Sequence, residues 1–101
     1  MEKEFIKIIE KELIGDNSIP IKLRNEHFFD KSAFEKLVNS INEAIVFYKG
    51  VDNIPKRLAL CFVDISNYFY VDNNFFSESE IEEIEDAGMK LSELANQLFD
   101  S

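Results

Sequence analysis

The sequence predicts an all-α fold: one domain, built as a bundle of about four helices. Three observations lead there. Apolar residues recur at three- and four-residue spacing through most of the chain. Ser-x-x-Glu capping boxes stand just ahead of two of the apolar stripes. Gly and Pro fall between the stripes rather than inside most of them. The 101 residues are 46% hydrophobic and 13% aromatic, with ten Phe and no Trp. That is enough apolar side chain for one core and too much for a disordered chain, despite a net charge of −9.

The first predicted helix is 2–14, where Phe5, Ile8, Ile9 and Leu13 recur on one face and Gly15 stops the run. Residues 16–29 read as a long connection. Within it Ile19 to Leu23 alternates as an extended piece would, and Pro20 keeps that piece out of a central strand. The second helix carries Phe34, Leu37, Val38, Ile41, Ala44, Ile45 and Tyr48, and closes at Lys49-Gly50. Ser32 with Glu35 forms a capping box ahead of it, and Asp30 is the competing cap.

The third helix is expected from about Asn53-Ile54-Pro55, with Leu58, Cys61, Phe62, Ile65, Tyr68 and Phe69 on one face. Leu60, Val63 and Tyr70 fall off that face, so the segment is apolar nearly all round and is expected at the centre of the bundle. An alternative stays open: an α+β fold with a hairpin at 58–71, turning at Ser66-Asn67. Ser-Asn is not the favoured hairpin pair, which tips the reading to helix. The fourth helix follows overlapping capping boxes, Ser77 to Glu80 and Ser79 to Glu82. It runs on Ile81, Ile84, Gly88, Leu91, Leu94, Ala95 and Leu98. Gly88 inside it points to a neighbour packed close.

Catalysis finds no foothold. His27, the only histidine, sits among Glu26, Phe28, Phe29 and Asp30 and reads as a loop residue packed on aromatics. Cys61 lies within an apolar run and reads as a small core residue. One Cys and one His do not make a zinc site or an internal disulfide. There is no Glu-x-x-His for a di-iron site, and Asp72-Asn73-Asn74 lacks the spacing of a calcium loop. No enzyme activity, cofactor or metal is expected. The N-terminal stretch has no secretory h-region, and the longest apolar run, Leu58 to Val63, is too short to span a bilayer, so a cytoplasmic chain is expected.

The charge is unevenly placed. Acids and bases balance over residues 1–57. Residues 58–101 carry the whole excess, with Lys90 their one base. Nucleic acid and anionic membrane are thereby excluded as ligands, because phosphate binding needs Lys and Arg clusters. A basic protein partner is favoured. The expected binding residues combine acids with neighbouring aromatics: Tyr68, Tyr70, Asp72, Phe75, Phe76, Glu78, Glu80, Glu82, Glu83, Glu85 and Asp86. A homodimer, with the charge serving only solubility, is the competing expectation.

The pattern IPKRLALCFVDISNYF followed by FFSESEIEEIEDAGMKLSELANQL, covering roughly residues 53–98, resembles the small acidic immunity proteins of bacterial toxin systems. These are the inhibitors of colicin-type and contact-dependent growth-inhibition toxins. The resemblance implies a cytoplasmic bacterial inhibitor that binds one cognate toxin domain 1:1, often a nuclease with a basic cleft. It carries over no individual binding residue.

Overall fold

The computed structural model describes residues 3–69, 71 and 74–100. The chain is all-α. Its elements are α1 (Glu4–Ile14), α2 (Ile19–Asn25), α3 (Lys31–Phe47), α4 (Lys56–Leu60), α5 (Ile65–Tyr68) and α6 (Glu78–Phe99). No strand occurs among the described residues, so the hairpin alternative at 58–71 is not adopted by those of its residues that are described.

The three long helices form the frame, with α3 packed between α1 and α6. The face of α3 bearing Leu37, Ser40, Ile41 and Ala44 meets Phe5, Ile6, Ile9 and Leu13 of α1 on one side. On the other it meets the α6 stripe of Ile84, Leu91, Leu94 and Leu98. Fully burying each such Leu or Ile stabilises the fold by about 1.5–3 kcal/mol. The short α2 leans on α1, and α5 leans on α6. The body is elongated, 43 × 23 × 21 Å.

Two expectations are corrected. Residues 19–25 are not an extended connection but α2, with Pro20 in its first turn. Proline is penalised inside a helix, where it lacks a needed N–H. In the first turn that N–H has no partner to lose. The third segment is neither one helix nor the centre of the bundle. Its middle, 61–64, is a tightened turn held by bonds such as Phe62 N–H to the Ala59 carbonyl at 3.0 Å. In a continuous helix the Cys61 carbonyl would accept the Ile65 N–H. Here it accepts the buried Tyr68 hydroxyl at 2.6 Å. The break turns Leu60 and Val63 out to solvent while Leu58, Cys61 and Phe62 stay inside. The buried place of Cys61 agrees with its reading as a core residue.

Helix ends follow local chemistry. Asp30, rather than Ser32, caps α3, its carboxylate accepting from Ala33 N–H at 3.0 Å. The same carboxylate accepts from Lys22 Nζ at 2.8 Å, which ties α2 to the start of α3. The far end of α3 closes at Gly50, whose φ of +75° favours glycine. The Ser77–Glu80 capping box at the start of α6 is formed in full.

Asp30→Ala should therefore lower stability by about 1–2 kcal/mol through the lost cap. The half-buried Lys22 pair adds to that loss. Asp30→Asn keeps the cap and should retain most of that stability. The pair with Lys22, then the Ala33 N–H, hold the Asp30 carboxyl below its ordinary value. A depressed carboxyl stabilises the fold above its unfolded pKa, and that share disappears as pH falls through the folded value. The wild type should thus lose more stability than Asp30→Ala between about pH 5 and about pH 2. Urea unfolding at several pH values measures this. Parallel losses in the two proteins would exclude Asp30 as a contributor.

Candidate partner-binding face

The α6 helix carries seven acids and one base, Lys90. Helical spacing sorts them. Glu78, Glu82, Glu85, Asp86 and Glu93 fall on one side of the helix, and all five are exposed. Met89 lies in the middle of that stripe, 62% exposed. At 1.5 Å per residue the stripe is about 22 Å long. None of its five carboxylates forms an ion pair among the described residues. The first turn also feels the positive end of the helix dipole, which makes acids there compatible with a stable helix.

The other two acids are occupied within the fold. Glu80 accepts from the Ser77 N–H at 2.9 Å, and that bond holds its carboxyl below the ordinary value. Glu83 is half-exposed and pairs with Lys31 Nζ at 2.8 Å, which raises the pKa of that lysine. These two acids tie α6 to its own N-cap and to α3 while staying at the surface.

The aromatics divide as well. Tyr68 is only 8% exposed, and its hydroxyl is committed to the Cys61 carbonyl. Burial, with Cys61 and Asp64 nearby, pushes its phenol above the ordinary value. Its placement in the sequence reading as a surface anchor is therefore corrected: the ring is part of the core. Phe76 is half-buried and packs on the core. Phe75 is 56% exposed and stacks on His27, ring centres 3.9 Å apart and nearly parallel. Tyr70 and Asp72 lie outside the described residues.

His27 has a left-handed φ of 53° at the end of α2. Such a conformation in a non-glycine residue costs about 1–3 kcal/mol. The Phe75 ring packed on it and the Phe28 N–H, which reaches back to the Lys22 carbonyl at 3.3 Å, hold it there. It is a loop histidine packed on aromatics, as its neighbours in sequence suggest.

Beside the acidic stripe runs a groove of about 540 Å³ between α5 and α6. Its floor is Phe69, which lies on Gly88: a Cβ at Gly88 would stand 3.3 Å from the Phe69 Cβ. Ile65 and Met89 continue the apolar wall, and Glu85 and Glu93 stand on the rim. Met89, Glu93 and the groove were not singled out from sequence. The stripe's i, i+3, i+4, i+7 spacing was the signal that could have found the first two.

Among the described residues no three His, Cys, Asp or Glu side chains gather closely enough to hold a metal ion. No helix among them is long and apolar enough to cross a membrane. The fold and the charged face define a small helical bundle with an acidic side. No protein-family model, no curated protein and no solved structure matches the chain.

Proposed function

We propose that this chain is a non-enzymatic, immunity- or antitoxin-like inhibitor that binds a cognate bacterial toxin domain in the cytoplasm. The toxin in this reading is a nuclease. The inhibitor acts by occlusion: the acidic side of α6 covers the cationic cleft where substrate phosphate would sit. The observation that carries the reading is the row of exposed, unneutralised carboxylates at Glu78, Glu82, Glu85, Asp86 and Glu93. Such a row raises the local concentration of a basic partner and speeds its docking. The exposed Phe75 supplies apolar contact near the start of the helix.

Co-expression with the product of the adjacent upstream gene tests the reading. A 1:1 complex that survives a salt wash, with the neighbour toxic when expressed alone, is the expected result. A harmless neighbour and a solitary protein would remove the reading.

A second reading, a self-associating helical module, draws on a different surface. Val46 is 77% exposed at the end of α3 and lies between two grooves, one toward α6 and one toward α1. Sedimentation separates the two: a stable homodimer at low concentration favours self-association.

A further inference from the structure

We propose that the groove between α5 and α6 receives an arginine side chain of the basic partner. This rests on the binding reading above and names the chemistry of its central contact.

The groove combines two features that an arginine needs together. Its floor and wall are apolar, made by Phe69, Ile65 and Met89. Its rim carries Glu85 and Glu93, eight residues apart on α6, with Met89 midway between them. The rise of the helix places these two carboxylates about 12 Å apart along the axis. An arginine entering between α5 and α6 lays its three methylenes on Met89 and Ile65 and carries its planar guanidinium to the rim at Glu85 and Glu93. From there the guanidinium reaches either carboxylate with two parallel N–H bonds. Lysine fits less well, because its compact ammonium holds water tightly and offers no planar fork to pair a carboxylate with two bonds.

The chain supplies no cation of its own to these acids: neither Glu85 nor Glu93 forms an ion pair among the described residues. Charge complementarity also selects the occupant from among other apolar guests. An acidic or phosphorylated segment would bring like charge against the carboxylates of the rim. Gly88 lets Phe69 lie close on the helix, since a Cβ there would stand 3.3 Å from the Phe69 Cβ.

The probe is the peptide acetyl-Gly-Arg-Gly-Arg-Gly-amide, titrated at low ionic strength against the full chain. Methyl NMR signals of Met89 and Ile65 and the backbone amide signals of α6 are followed. The expected result is saturable shifts at both methyls, about tenfold weaker binding in Ser66→Trp, and a similar loss when norleucine replaces arginine in the peptide. Ser66 is exposed, so the tryptophan fills the groove without entering the core. A lysine peptide that binds as tightly would overturn the choice of arginine. Shifts spread along all the α6 acids and unchanged in Ser66→Trp would overturn the groove while leaving the acidic-face reading standing. No shift anywhere, even at low salt, would overturn both.

Discussion

Phe69→Ala should lower stability by about 3–5 kcal/mol, among the largest losses available to a single substitution in this chain. The ring is buried and packs edge-on against Phe34, at 5.7 Å, and Phe29, at 6.1 Å. Its other side lies on the bare backbone at Gly88. One side chain therefore joins the loop after α2, the start of α3, α5 and the middle of α6. Deleting it removes both the transfer energy of the ring and the edge-to-face contacts, and the rigid helix backbone at Gly88 cannot collapse into the gap. Against a typical total of 5–15 kcal/mol this is a large share. Phe75→Ala, at an exposed ring stacked on a loop histidine, should cost about 1 kcal/mol or less. Denaturant midpoints of the two variants measure the contrast. Equal losses would show that the Phe69 junction does not hold α5 on α6.

What could be read from the sequence was whatever local chemistry decides. The α3 stripe and the Ser77–Glu80 box needed only spacing and short-range hydrogen bonds, and both stand in the structure. The close neighbour implied by Gly88 is there too, as Phe69. The misses came where a distant partner decides. At the break, 61–64, the Tyr68 hydroxyl reaches the Cys61 carbonyl, a contact that no periodicity records. The same bond draws Tyr68 inward, away from the surface role its aromatic-acidic neighbourhood suggested. Pro20 was weighed as a bar to a strand when it also marks a first helical turn. Glu80 is a different case. The capping box commits one of its carboxylate oxygens to the Ser77 N–H, a local bond that the Ser-x-x-Glu spacing already announces. The pairing of Glu83 with Lys31 crosses from α6 to α3 and could come only from the fold.

That division of the acids decides which charges to reverse. Glu82→Lys, Glu85→Lys and Asp86→Lys together change the face by six charges and leave the capping box and the Glu83–Lys31 pair in place. None of the three is engaged in a bond among the described residues, and all are exposed. They also stand beyond the first turn of α6, where the helix dipole has faded, so folding should be unaffected. Binding should not be. Association steered by complementary potential runs about 10²-fold or more above the unsteered rate at low salt, and the triple variant should lose that advantage. Raising the salt should shrink the gap between variant and wild type, because a Debye length of about 8 Å at physiological ionic strength already screens charges spread along a 22 Å stripe. Dissociation should quicken as well, since Glu85 belongs to the central contact proposed for the partner's arginine and losing a central charge pair acts on dissociation. Stopped-flow association with the co-purifying partner at two salt concentrations tests all of this. If the variant and the wild type associate at the same rate at low salt, the acidic stripe is not the docking face, and the apolar surface around Val46 becomes the place to look.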